Sequence, residues 1–339
     1  MVASGGAAAL AVCAAAGVSV GGGQARAAEA VPTVFIGDSY TGNYGIAPSA
    51  DTAPPGLYCF RSQQNYPAVA ARRLAERGVP LQVRADRSCA SATVENFWTS
   101  QQVVPGTDLT VPPQQDALGA DTRLVVGSTG GNTLGFVRIL KQCSERLRGP
   151  EGALVPAVPV DADSPAGECR RFFASGRGRE WLDDGMERVD LALEEMFDRI
   201  AYVTEEKAAT VLVGYPRLVP RDVSLCGAVV PGTEELPFAD IPPDALRLID
   251  QVEARLNAVM AHAARKAGAQ FVDLYAVTGN NTACDGGARG IGGLLEPSEL
   301  QLGATTLPWY AHPNALGRDV QAEYVADRIA AVVSNFASR

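Results

Sequence analysis

Short apolar runs, most of them without alternation, constrain this chain more than any other feature. Thr33–Ile36, Leu81–Val83, Thr122–Val126, Thr210–Val213 and Gln270–Leu274 are rich in Val, Leu and Ile, and Gly, Pro, Asp or Ser bounds each of them. A strand with one wet face alternates apolar and polar residues, whereas a strand buried on both faces reads as a continuous apolar run. Between the runs lie helical patterns. Tyr66–Arg77 has Pro67 in its first turn and Gly78 just past its end; Leu134–Leu147, Glu180–Tyr202, Pro243–Ala267 and Asn314–Phe336 follow. Strand and helix in regular alternation predict one doubly wound α/β domain, a three-layer α/β/α sandwich around a mostly parallel sheet. Ligands of such sheets bind at the carboxyl ends of the strands.

The chain has 339 residues, 47% of them hydrophobic and 20% charged, enough for a large core. Its 29 basic and 38 acidic residues give net −9, which argues against a nucleic-acid footprint built on clustered positive charge. Two histidines exclude a histidine-rich metal site by count. Residues 1–27 read as an export signal: Ala7–Val20 is uncharged and apolar, and Ala25-Arg26-Ala27 supplies a small-x-small cleavage pattern. No Lys or Arg precedes the run, which departs from the usual signal. Gly21-Gly22-Gly23 cuts it short of a membrane span, so no stable membrane insertion is expected. A single mature domain, 28–339, is expected outside the cell.

Cleavage would remove Cys13 and leave Cys59, Cys89, Cys143, Cys169, Cys226 and Cys284. An even number in an exported chain implies disulfides, with about fifteen possible pairings, and the lack of any C-x-x-C argues against zinc. Three Pro/Gly-rich stretches, Ser49–Tyr58, Gly149–Gly178 and Arg217–Pro243, fit neither helix nor strand. Among the pairings, the sequential one (59–89, 143–169, 226–284) would close separate loops and is the one carried forward.

Three loops carry polar residues suited to chemistry. Gly37-Asp38-Ser39-Tyr40 follows the first run, where a tight turn would present a serine. Leu124–Gly127 leads to Gly130-Gly131-Asn132, whose Asn side chain could donate to an oxyanion. Trp309-Tyr310-Ala311-His312-Pro313-Asn314 precedes the last helix. Each string is weak alone. His262 falls inside an Ala-rich helix and reads as a surface histidine, so His312 is the one plausible base for serine catalysis.

The order Ser, Gly-Asn, His-Pro-Asn resembles the SGNH (GDSL-type) hydrolase family, whose fold is flavodoxin-like. More narrowly, strings such as VFIGDSYTGNYGIAP, GGNTLGF, ILKQCS, VLVGYPRLVP and PWYAHPN are similar to a secreted esterase of that family over essentially all of the mature region. The resemblance suits a shared set of three disulfides. It implies Ser39 as nucleophile and His312 as general base, with an oxyanion hole of the Ser39 and Ser91 backbone N–H groups and the Asn132 side chain. Two departures matter. Ser91 stands where the family usually has Gly, and Trp309 stands where most members place an Asp that orients the histidine. The resemblance implies that the backbone carbonyl of Trp309 takes over, with Asp273 and Glu296 as alternative carboxylates. Because a neutral carbonyl stabilises imidazolium less than a carboxylate does, a raised pH optimum is expected.

The reaction implied is hydrolysis of a carboxylic ester through an acyl-enzyme, by a monomer needing no metal or organic cofactor. A lipase or phospholipase is the alternative, and an inactive secreted carbohydrate- or lipid-binding protein a more distant one. Trp98, Tyr215, Trp309 and Tyr310 would either suit an apolar acyl group or pack the loops.

Overall fold

A computed structural model describes Met1 and residues 29–153 and 157–336; apart from Met1, the expected leader lies outside them. Each apolar run forms a strand: β1 Val31–Gly37, β2 Leu81–Asp86, β3 Leu124–Ser128, β4 Ala209–Val213 and β5 Gln270–Val272. They make one parallel sheet in the order β2-β1-β3-β4-β5. The longer helices are α1 Tyr66–Glu76, α2 Phe136–Cys143, α3 Gly176–Val203, α4 Pro243–Lys266 and α5 Ala315–Ser334.

Strand side chains alternate between two buried layers. Val34, Ile36, Val125 and Leu212 pack with Val189, Leu193 and Met196 of α3 and Ile249, Leu256 and Met260 of α4. Phe35, Leu124, Val126, Val211 and Val213 pack with Tyr66 and Leu74 of α1 and Val325 and Ile329 of α5. Full burial of one such side chain stabilises by roughly 1.5–3 kcal/mol, so the sheet's two-sided burial explains the continuous apolar runs. Edge strand β2 is the exception, with Gln82, Val83 and Arg84 exposed.

Helix boundaries follow local chemistry. The Asn65 side chain accepts from the Ala68 N–H at the start of α1, and Asn314 does the same for Gly317 in α5. The continuous helix expected over Leu134–Leu147 is instead broken into Gly131–Leu134, α2 and Glu145–Arg148. Gly135 turns left-handed at φ 82° after the first piece, and Ser144 is extended after the second. Ser144 Oγ binds the Asp240 side chain and accepts from Leu147 N–H, a local alternative to continuing the helix. The third long helix begins at Gly176, earlier than its periodicity suggests.

Disulfides join Cys59 to Cys89, Cys143 to Cys169 and Cys226 to Cys284. The first anchors the loop after β2, the second ties α2 to the 149–178 stretch, and the third fastens the 217–243 loop. A hairpin of β6 Pro297–Leu302 and β7 Thr305–Pro308 delivers the chain to Trp309.

Candidate active site

The sheet order reverses between β1 and β3, the crevice where doubly wound sheets bind ligands. Backbone contact between the two strand ends is close. Gly37 has φ 124°, and a Cβ there would lie 2.3 Å from the Ser128 carbonyl oxygen, so only glycine turns the chain here. Both hydrogen-bonding groups of Gly37 are met by one side chain: its N–H donates to Gln114 Oε1 (2.7 Å), and its C=O accepts from Gln114 Nε2 (2.9 Å). The Asp38 N–H then donates to the Ser128 carbonyl at 3.0 Å.

Ser39 is the first residue of a helical turn, Ser39–Gly42, capped by Asp38 through the Tyr40 N–H (2.9 Å). Its Oγ lies 2.7 Å from His312 Nε2. On the other side of the ring, Nδ1 lies 3.0 Å from the carbonyl oxygens of both Trp309 and Tyr310. The two alternative carboxylates are engaged elsewhere. Asp273 caps the turn Leu274–Val277, while Glu296 pairs with Arg289 and accepts from Gly293 N–H at 2.6 Å. A backbone acceptor at Nδ1 favours the tautomer with its proton there and leaves Nε2 free to accept from the serine.

The histidine loop is strained and firmly held. Tyr310 and Ala311 take left-handed φ values of 49° and 60°, conformations that cost energy in non-glycine residues. The Tyr40 hydroxyl donates to the Ala311 carbonyl (2.9 Å), and Gly292 N–H donates to the His312 carbonyl (2.9 Å). Tyr40 and Tyr44 flank the imidazole with ring centroids at 4.6 and 4.9 Å. The buried Trp309 indole lies against Gly45 and Gly292, where a Cβ would stand 2.3 and 2.2 Å from it.

Burial pushes the His312 pKa down to about 4, against the raising effect of the Trp309 and Tyr310 carbonyls. The expectation of a raised pH optimum therefore has the wrong sign. A lower pKa keeps the imidazole neutral, and competent as a base, at lower pH. Weaker stabilisation of imidazolium by a carbonyl already lowers the histidine pKa, so that premise points the same way as burial, and the raised optimum drawn from it inverted the sign.

Asn132 is the second residue of the helical turn Gly131–Leu134 that follows β3. One N–H of its side-chain amide donates to the Ala92 carbonyl at 3.0 Å, which leaves a second N–H for a ligand. Ser91 is exposed, has φ 63° and lines the same cavity as Ser39, Asn132 and His312. A positive φ is a reason for glycine at this position.

Asp38 and Tyr215, whose hydrogen-bonding roles the sequence did not reveal, form a network beneath the serine. The Tyr215 hydroxyl donates to Asp38 Oδ2 (2.5 Å) and accepts from Gly131 N–H (2.8 Å). Burial raises the Asp38 carboxyl to about 7 despite the Tyr215 and Tyr40 donors. The one available signal was position: Tyr215 directly follows a Gly at the end of a strand-like run. Of the four aromatic residues considered for an acyl site, Tyr215 and Tyr310 line the cavity. Trp309 is buried packing, Trp98 stacks under the Arg199 guanidinium at 5.1 Å, and His262 lies exposed on α4. The cavity encloses about 710 Å³ and is walled by apolar groups including Phe60, Val103, Phe136, Leu140, Leu302 and Leu307. Among the described residues, no group of three His, Cys, Asp or Glu is placed to hold a metal ion, and no helix is long and apolar enough to cross a membrane.

A base within hydrogen-bonding reach of a hydroxyl, with N–H donors beside it, can perform acyl transfer. Similarity to known proteins agrees with that chemistry. The chain is 55% identical to an esterase of Streptomyces scabiei over 326 residues, covering 96% of this chain and 93% of that protein. It is 30% identical to Lipase 2 of Streptomyces coelicolor over 310 residues, covering 90% and 88% respectively. Its fold matches an extracellular lipase from Streptomyces rimosus with a TM-score of 0.56 at 20% identity, over 88% of this chain and 99% of the other. With residues 35–320 matching the GDSL-like lipase/acylhydrolase family, the chain belongs to that family and is a carboxylic ester hydrolase.

Proposed function

We propose that this protein is an exported, monomeric serine esterase working through an acyl-enzyme with a Ser39–His312 dyad. The observation that carries the proposal is the 2.7 Å contact from Ser39 Oγ to His312 Nε2, with Nδ1 held 3.0 Å from the Trp309 carbonyl. Ser39 Oγ attacks the ester carbonyl carbon and its proton passes to Nε2. The tetrahedral oxyanion accepts hydrogen bonds from the Ser39 and Ser91 backbone N–H groups and from Asn132. Collapse expels the alcohol, which takes the proton from Nε2. Water, deprotonated by the same nitrogen, then attacks the acyl-enzyme; the acid leaves and the proton returns to Ser39. Each oxyanion donor is worth roughly 10²–10³ in rate. The three disulfides fit an oxidising, extracellular setting.

A lipase or phospholipase reading is supported by the apolar cavity, whose size of about 710 Å³ exceeds what an acetyl group needs. A panel of p-nitrophenyl esters of rising chain length, run beside phosphatidylcholine vesicles, separates the two. Wild type is expected to be labelled at Ser39 by a serine-directed phosphonate, and Ser39→Ala to lose at least about 10³ in kcat. Folded wild-type protein that neither labels nor hydrolyses any ester would leave the binding-protein reading in place.

A further inference from the structure

Two halves of the site arise from separate strands: Ser39 follows β1, and Asn132 follows β3. One buried side chain touches both. The Tyr215 hydroxyl, at the end of β4, donates to Asp38 Oδ2 at 2.5 Å, while Asp38 Oδ1 accepts the Tyr40 N–H that caps the serine's turn. The Tyr215 hydroxyl oxygen also accepts from Gly131 N–H at 2.8 Å, one residue before Asn132. Gly131 is also where space matters: a Cβ there would stand 3.1 Å from the Tyr215 hydroxyl. Tyr215 is itself fixed, since its N–H donates to Asn257 Oδ1 (2.8 Å) on α4 and its ring meets Tyr40 edge-on at 4.9 Å. Tyr40 in turn lies against the His312 ring.

We infer that Tyr215 is a positioning residue for ester hydrolysis, its hydroxyl setting the Asn132 oxyanion donor in register with the Ser39 nucleophile. The inference rests on the Ser39–His312–Asn132 reading above. It also gives Asp38 a task beyond capping: its second oxygen orients the tyrosine proton, so that the hydroxyl lone pairs face Gly131. Oxyanion stabilisation depends on donors fixed where charge develops, and a shift of a few tenths of an ångström weakens it without changing how the acyl chain is held. Losing Tyr215 should therefore appear in kcat and leave KM nearly alone.

The test is a double-mutant cycle of Tyr215→Phe and Asn132→Ala, assayed on a p-nitrophenyl ester with circular dichroism and Tm as folding controls. Tyr215→Phe keeps the ring and removes both hydroxyl bonds. The expected result is a fall in kcat of about 10-fold with KM within about two-fold, and a double variant hardly slower than Asn132→Ala. Losses that multiply, or a Tyr215→Phe effect confined to KM, would overturn the inference. If Tyr215→Phe does not fold, Gly131→Ala displaces the hydroxyl from the opposite side and must show the same kcat-only, non-multiplying pattern. Ser39→Ala separates the two levels. Should it retain activity, the dyad reading itself fails; should it be inactive while the cycle is additive, the positioning role alone fails.

Discussion

At the scale of single residues, the unusual group is His312, held by peptide carbonyls where many relatives would use a carboxylate. The backbone supplies that acceptor whatever the side chain at 309, so Trp309 is free to act as packing between Gly45 and Gly292. Burial dominates the histidine's titration and pushes it down to about 4. The acidic limb of kcat/KM, which reports the free enzyme, should then lie near pH 4 and well below the ordinary histidine value of about 6.5. Initial rates on a p-nitrophenyl ester, followed at the nitrophenol isosbestic wavelength, measure it; a limb near 6.5 would refute the desolvated histidine. Trp309→Phe keeps the carbonyl and should keep the limb. A separate inflection near 7 would report Asp38, whose carboxyl is raised to that value.

At the scale of elements, the strands and most helices were legible because their signals are local. Apolar runs, Asn caps and Gly stops act over a few residues. The Leu134–Leu147 stretch was not legible, because Ser144 leaves the helix for Asp240, nearly a hundred residues away. Loops here depend on covalent ties. Cys59–Cys89 closes 30 residues and sits two positions before Ser91, with Ala90 N–H donating to the Cys59 carbonyl at 3.0 Å. Replacing both cysteines by Ala should lower stability by about 3–4 kcal/mol in the loop-entropy estimate. It should also lower kcat in the folded protein, because the Ser91 turn loses its anchor. Urea unfolding and ester kinetics at low temperature check the two effects separately; unchanged kcat would remove the Ser91 turn from the mechanism.

At the scale of the whole molecule, three buried ionisable groups near the site set a pH slope. Burial raises Glu253 well above its ordinary value and Asp38 to about 7, and lowers His312 to about 4. The two carboxyls hold protons in the folded state that the unfolded chain releases, so their stabilisation is present at low pH and lost as pH rises. His312 acts oppositely, its contribution present above about 6.5 and lost as pH falls towards 4. Asp38 and His312 therefore nearly cancel between about pH 4 and 6.5, and Glu253 is left to decide the sign. Stability should fall from pH 5 to pH 8, by up to about 1.4 kcal/mol per pH unit for each net proton. Glu253→Gln, which keeps an acceptor for the Leu218 N–H, should flatten a Tm-against-pH series; an unchanged slope would exclude Glu253 as its source.

The layered sheet, the places of Ser39, Asn132 and His312 at loop ends, and the family itself were all readable from the amino-acid order. Apolar periodicity and turn chemistry are written into neighbouring residues, and a motif in fixed order needs no coordinates. What contacts His312 Nδ1, where Asp273 and Glu296 are engaged, and the place of Tyr215 between Asp38 and Gly131 emerge from the folded chain. The Tyr215 bridge joins residues 84 and 177 positions apart and Ser39 meets His312 across 273, while the carbonyls at Nδ1 lie only two and three residues away and reach it because the folded loop bends there; burial then sets the histidine's pKa. Distance through space and the removal of water are properties of the folded chain, not of any stretch of it.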